Sequence, residues 1–154
     1  MHSLSKYFLI VFTGISLIFA VPPALNVYVI PFDNSKSEPA LTWLSEGFSS
    51  MITSNLLEQD RVYIKNQSNL EEVMSNRSLL TQQKPGTKNF LVLGKFERSL
   101  DKLIISIQLI DITTWDEVDS RKITGYYNKI DDVNSSIVSM IKTMLSPDLP
   151  NPTQ

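Results

Sequence analysis

Residues 90–118 (FLVLGKFERSLDKLIISIQLIDITTWDEV), together with residues 27–34 (VYVIPFDN), decide the fold of this chain. Within the longer stretch, Leu103, Ile105, Ile107 and Leu109 share one face of a strand, and Ser106 and Gln108 lie on the other, which is typical of a strand that buries one face. Turns around residues 99–101 and 113–116 divide the stretch into short strands, so it predicts an antiparallel meander. The shorter stretch is apolar on both faces, which indicates a strand covered on two sides.

Apolar residues at helical spacing predict helices before and after this meander. The first helix covers residues 40–57 and precedes a short strand at residues 62–64. A capping box of Ser68 and Glu71 opens the second helix, and Asp132 is the expected N-cap of the third. The order β-α-β-α-β-β-β-α predicts a single α/β (α+β) domain with a mixed five-stranded sheet packed by about three helices.

The first 20 residues are typical of a secretion signal. Lys6 supplies a positive charge, residues 7–20 carry none, and Ala20 suits a signal peptidase that would release the chain from Val21. An uncleaved inner-membrane anchor is the alternative, although the apolar run is shorter than the ~20 residues that span a bilayer comfortably. We therefore expect an exported domain over residues 21–145.

The end of the chain, residues 146–154, holds three prolines in SPDLPNPTQ and is expected to be a disordered tail. The chain carries 14 basic and 16 acidic residues, for a formal net charge of -2. Without clustered lysine and arginine, no nucleic-acid partner is expected. The absence of cysteine excludes a lipid anchor on that residue and any disulfide.

The residue types that carry catalysis are scarce. The single histidine, His2, lies in the signal, so no catalytic residue, cofactor-binding residue or transition-metal ligand is predicted. Two adjacent acid pairs, at residues 71–72 and 131–132, fall at predicted helix starts, where acids favour the helix dipole. Gly94 and Lys95 lie inside a strand rather than in a phosphate-binding loop, so the lysine is expected to face solvent. The sequence therefore indicates a protein that is not an enzyme.

A partner surface has fewer candidates. Asp33, Asn34, Arg98 and Asp101 lie in predicted turns and are the best polar surface residues, although Asp and Asn favour turns for backbone reasons alone. Trp115 is expected to be presented by the turn after the QLID strand. These five residues form the candidate partner surface.

Four segments carry a resemblance to a known group of proteins. They are NVYVIPFDN (26–34), LTWLSEGFSSMITSNLLEQDRVYI (41–64), NFLVLGKFE (89–97) and IISIQLIDITTWDEV (104–118). In order and spacing they resemble the module of CsgG-type curli secretion proteins, FlgO-type flagellar envelope proteins and the amino-terminal domain of TolB. LpoB-type activators of penicillin-binding proteins share the implied architecture. The chain departs from the pattern in its longer turn after QLID and in the short loop at residues 81–88.

The resemblance implies a non-enzymatic, periplasmic module that binds an envelope protein in envelope or surface-appendage assembly or secretion. A homo-oligomer and a position peripheral to the outer membrane are compatible with it. The turns that join the last three strands are too short to supply a pore-forming transmembrane segment. The alternative function is a periplasmic small-ligand or peptide-sensing domain, which requires an apolar pocket with converging polar groups.

Overall fold

Strands and helices alternate along the first half of the chain, and three consecutive strands and a helix complete it. The computed structural model describes residues 23–57, 59–76 and 85–149. The strands are β1 (Ala24–Val29), β2 (Asp33–Asn34), β3 (Val62–Asn66), β4 (Thr87–Ser99), β5 (Lys102–Asp111) and β6 (Asp116–Tyr126). The helices are α1 (Thr42–Leu56), α2 (Leu70–Ser75) and α3 (Ile130–Leu145), with short 3-10 turns at Pro39–Leu41 and Tyr127–Lys129.

The strands form one mixed sheet in the order β3-β1-β4-β5-β6, with the two-residue β2 pairing beside the end of β4. Strand β1 runs parallel to both β3 and β4, while β4, β5 and β6 form antiparallel ladders. The predicted α/β fold with a mixed sheet, a parallel crossover and a meander is confirmed. Strand β2 adds a sixth, very short strand.

The main core lies on the face of the sheet that α1 and α3 cover. Alternate residues of the central strands point into it, and the apolar stripes of the two helices meet them. Each fully buried aliphatic or aromatic side chain contributes roughly 1.5–3 kcal/mol. The main core includes Leu25, Val27, Val29, Phe90, Val92, Phe96, Leu103, Ile105, Ile107 and Leu109 from strands, and Leu44, Phe48, Ile52, Leu56, Val133, Ile137, Ile141 and Leu145 from helices.

A smaller apolar cluster occupies the opposite face, under α2. Val73 of this helix packs with Leu91 and Ile112, and Trp115 lies against the same cluster. Side chains of β6 are exposed or half-buried throughout. The prediction that β6 is a polar strand at the edge of the sheet is therefore confirmed.

Phe32 connects the segment after β1 to the core. Its ring lies 5.5 Å from that of Phe48, which makes an edge contact with Phe96 at 5.6 Å. Gly94 of β4 makes room for this ring, because a Cβ atom at that position would lie 2.3 Å from two of the ring carbons of Phe32. The glycine in the GKF motif is thus required by packing, and Lys95 beside it is exposed as expected.

Two helix caps differ from the prediction. The N-cap of α2 is Asn69, whose side chain accepts from the Glu72 amide at 2.9 Å, so the capping box is one residue later than predicted. Asn and Ser cap about equally well, so sequence alone does not choose between them. Helix α3 begins before Asp132 and has Lys129 as its N-cap, which places Asp132 in the first turn.

Some predictions lie outside the described residues. These are the signal over residues 1–20, residues 81–84 of the loop predicted at 81–88, and the last residues of the tail, 150–154. The chain continues as turns through residues 146–149, where Leu149 packs against the main core and Asp148 pairs with Lys88. No helix within the described ranges is long and apolar enough to cross a membrane.

Candidate functional site

The pairing of β2 with β4 brings two distant loops together at one end of the sheet. Asp33 lies beside Lys95, and the Ser35 amide donates to the Phe96 carbonyl at 3.0 Å. The loop after β2 therefore reaches the turn between β4 and β5. We call this end of the molecule the tip and define it as residues 33–38, 97–102 and 126–127.

Asn34 holds the first loop of the tip in shape. Its side-chain amide donates to the Glu38 carbonyl at 2.8 Å, and its Oδ1 atom accepts from the Glu38 amide at 3.3 Å. Its own carbonyl accepts from the amide of Ser37, which has a φ of 49°. Asn34 therefore shapes the loop, and its polar atoms are used within it.

The turn between β4 and β5 presents an apolar side chain at the tip. Ser99 pairs with Lys102, which leaves Leu100 and Asp101 as a two-residue turn. Leu100 has a φ of 58° and is 88% exposed. A positive φ at the first central position of such a turn normally calls for glycine, because a Cβ atom is disfavoured there. The leucine is thus both strained and exposed.

Arg98 braces this turn. Its Nε atom donates to the Leu100 carbonyl at 2.8 Å, its guanidinium lies 4.6 Å from the ring centre of Tyr127, and its Nη1 atom pairs with Glu38 at 3.6 Å. The Tyr127 amide in turn donates to the Asp101 carbonyl at 2.7 Å. The turn is held from both sides, so Leu100 projects from a fixed backbone.

Further charges surround the turn. Lys36 pairs with Glu97 at 3.4 Å and donates to the Arg98 carbonyl at 3.1 Å. The Lys102 ammonium lies 5.7 Å from the ring centre of Tyr126, which is half exposed. Acidic and basic side chains therefore both surround the exposed Leu100.

The structure brings together four of the five predicted surface residues, Asp33, Asn34, Arg98 and Asp101. It also adds residues that sequence reasoning missed: Lys36, Glu38, Leu100, Tyr126 and Tyr127. A leucine in a two-residue hairpin turn was the one available signal, because that position favours glycine, asparagine or aspartate.

Trp115 lies at the other end of the β4–β5 ladder and is half-buried. It has a φ of 64°, its amide donates to the Asp111 carbonyl at 2.7 Å, and its side chain packs on the α2 cluster. The expectation that the turn presents this residue to solvent is wrong, because the left-handed backbone folds it back onto the sheet. Trp43 of α1, in contrast, is 55% exposed.

Other polar residues give little sign of chemistry. Within the described ranges, no three acidic, histidine or cysteine side chains lie close enough to hold a metal ion. The predicted acid pairs lie in the first turns of α2 and α3. The backbone amide and the hydroxyl of Ser68 both donate to Glu72, which lowers the pKa of that carboxyl. Burial raises the pKa of Tyr28. Each of these features is accounted for by local structure.

A groove of about 610 Å³ lies between the exposed sides of α1 and α3. Met51 and Val138 supply its apolar wall, and Asn55, Asn134 and Lys142 supply polar groups. Its hydroxyl side chains largely donate to carbonyls of their own helix, as Thr143 does to Ser139 at 2.8 Å. The groove is the structure's candidate for a small-ligand site.

No protein-family model and no curated protein sequence matches this chain. Its fold does match solved structures. TolB from Acinetobacter baumannii has a TM-score of 0.55 at 14% identity, over 82% of this chain and 30% of TolB. A PelC dodecamer subunit from Paraburkholderia phytofirmans has a TM-score of 0.52 at 16% identity, over 82% of this chain and 94% of PelC. A lipoprotein from Neisseria meningitidis has a TM-score of 0.50 at 16% identity, over 77% of this chain and 96% of its own.

These likenesses show a common fold. The predicted resemblance to TolB is confirmed at that level, whereas the resemblance to CsgG and FlgO stays a prediction. The chain spans under a third of the TolB chain and nearly the whole of PelC and of the lipoprotein. The chain thus has a fold that is found in bacterial proteins both as part of a larger chain and almost alone.

Proposed function

We propose that this chain is a non-enzymatic protein-interaction domain of the bacterial cell envelope and that it binds its partner through the tip. The observation that carries the proposal is Leu100, an 88% exposed apolar side chain on a strained and braced turn. An L-residue with left-handed backbone costs roughly 1–2 kcal/mol. Strained backbone of this kind occurs preferentially at functional positions, where the surrounding structure holds it in place.

The surroundings of Leu100 favour a protein partner. Protein interfaces commonly combine an apolar anchor with a polar, charged rim. At the tip, the acids Glu38, Glu97 and Asp101 stand among the bases Lys36 and Arg98, so the rim has no single sign of charge. A nucleic acid or an anionic membrane surface would favour a uniformly basic rim instead.

A cellular role in the envelope is supported by the fold and by the amino-terminal sequence. The same fold occurs in TolB and in a lipoprotein, and PelC of this fold forms a dodecamer. Amino-terminal sequencing of protein recovered from the envelope is expected to begin at Val21 or within a few residues of it. Intact Met1 on membrane-embedded material would support the uncleaved anchor, and recovery from the cytosol would contradict export.

Site-specific photo-crosslinking in intact cells tests the tip. A photoreactive amino acid at position 100 is expected to capture one reproducible envelope protein. The same group at Val118, an apolar residue of β6 that is 51% exposed, is the matched control and should not capture it. Arg98→Ala in the crosslinking chain should reduce capture, since it releases the turn while leaving position 100 in place. Equal capture from both positions would contradict a binding role for the tip.

The groove between α1 and α3 supports the second candidate, a periplasmic small-ligand or peptide-sensing domain. It combines an apolar wall at Met51 and Val138 with amide and ammonium groups, as ligand sites commonly do. Native mass spectrometry of protein purified from the envelope tests this function. A bound small molecule that Val138→Trp displaces would favour it over the first candidate.

A further inference from the structure

The two edges of the sheet are built differently. Strand β6 forms one edge with 11 residues, of which Asp116, Glu117, Asp119, Arg121 and Lys122 are charged. Its ladder with β5 also shifts register after Leu109, as it does at a β-bulge. Charged side chains and bulges are the devices that keep an edge strand from pairing with another chain. The β6 edge is therefore protected.

Strand β3 forms the other edge and has fewer of these devices. It contains one charged residue, Lys65, and its register with β1 is regular. The Leu25 amide donates to the Arg61 carbonyl at 2.9 Å, and the Gln67 amide donates to the Val29 carbonyl at 3.1 Å. Backbone N–H and C=O groups alternate sides along a strand. In β3 the groups of the odd-numbered residues therefore point toward β1, and the groups of Ile64 and Asn66 point outward. No strand in the described part of the chain pairs with them.

We propose that β3 pairs antiparallel with β3 of a second copy of this chain, about a two-fold axis at Ile64. The outward N–H and C=O groups of Ile64 then bond to those of the partner's Ile64. The Asn66 amide donates to the carbonyl of the partner's Val62, while the Val62 amide keeps its bond to the Gln59 carbonyl at 3.4 Å. In the same register Tyr63 lies opposite the partner's Lys65. One sheet then continues across both copies.

The exposed side chains of this strand complement one another in this arrangement. Tyr63 is 56% exposed and Lys65 is exposed, and the proposed pairing places each ammonium group beside a tyrosine ring. A second copy is therefore the occupant that this edge fits.

A charge exchange tests the pairing. Sedimentation velocity of the purified full-length protein is expected to show a concentration-dependent dimer. Tyr63→Lys places two lysine pairs across the axis and removes two ammonium–tyrosine contacts, so dimerisation should weaken by ~10-fold or more. Adding Lys65→Glu to that variant creates two opposite-charge pairs and should restore the dimer. Both positions are exposed, so the fold should survive, which circular dichroism checks. A monomer at all concentrations, or a double variant as weak as the single one, would overturn the proposal.

The absence of cysteine allows a second, positional test. Opposite residues of a non-hydrogen-bonded antiparallel pair have Cα atoms ~4.5 Å apart, within the range that a disulfide bridges. An equimolar mixture of the Tyr63→Cys and Lys65→Cys proteins should therefore form the mixed disulfide well above the share of about one half that random pairing gives. A random distribution of about 1:2:1, with the mixed disulfide at about half of the product, would contradict the register. The tip takes no part in this interface, so failure of either test leaves the proposed function of the tip unaffected.

Discussion

Replacement of Leu100 by asparagine is expected to stabilise the fold and to abolish partner binding. Leucine at a φ of 58° carries a backbone cost that asparagine largely avoids, because asparagine tolerates the left-handed region. The leucine side chain is 88% exposed, so little packing is lost with it. The free energy of unfolding should therefore rise by ~1 kcal/mol, which corresponds to ~3–5 °C in Tm for a domain of this size.

Leu100→Ala is the matched control for this change. Alanine removes the apolar side chain but keeps the Cβ atom and therefore the strain, so its thermal and urea unfolding should match those of the parent. Both variants should lose partner capture by a photoreactive group at Asp101. An asparagine variant no more stable than the alanine variant would refute the strain, and undiminished capture by both would refute the role of Leu100 as the anchor.

Three other changes test the packing and the caps. Gly94→Ala should cost ~1–3 kcal/mol in urea unfolding because the new methyl group meets the Phe32 ring, and Phe32→Leu should reduce that cost. Ile107→Asp should lower the free energy of unfolding by at least ~3 kcal/mol and unfold much of the protein, because Ile107 is fully buried. The control Ile107→Val should cost only ~0.5–1.5 kcal/mol. A normal melting curve for the aspartate variant would show that this strand faces solvent. The folded-state pKa of Glu72 lies below its ordinary value of 4.5, so its contribution to stability is present above that pH and is lost as the pH falls through the lowered pKa. Acid titration of Glu72→Gln should lack this component, and an unchanged titration would contradict the Ser68 contacts.

The order of elements could be predicted from the sequence because each carries its own periodicity. The meander was readable from the alternation around Ile105 and Ile107, and α3 from its apolar stripe. Strand β2 is not predictable from the sequence, since two residues have no period and their pairing with β4 lies beside the contact between Phe32 and Gly94, which are distant in the chain. The order of strands likewise depends on contacts between distant segments.

Only part of the candidate site could be predicted, because its assembly also depends on contacts between distant segments. Asp33 and Arg98 were recognisable as turn residues, but their meeting at the tip depends on the β2–β4 pairing. Trp115 and Trp43 show the limit of reasoning from hydrophobicity. The backbone φ of Trp115 turns it inward, and Trp43 lies on the outer side of its helix stripe. Whether a tryptophan side chain points inward, as Trp115 does, or outward, as Trp43 does, does not follow from residue type.

The position of β1 has a consequence for how the chain reaches its folded state. This first strand of the described chain lies between β3 and β4, and Asn26 bonds to Asn89 across 63 residues. The β4–β6 hairpins can close locally, whereas β1 has both edges open until two later segments have emerged from the ribosome or a translocation channel. An apolar strand in that condition pairs readily with other chains. Until β4 is complete, the future central strand β1 is therefore the segment of the chain most prone to pair with other chains. The time needed to complete β4 sets how long this risk lasts.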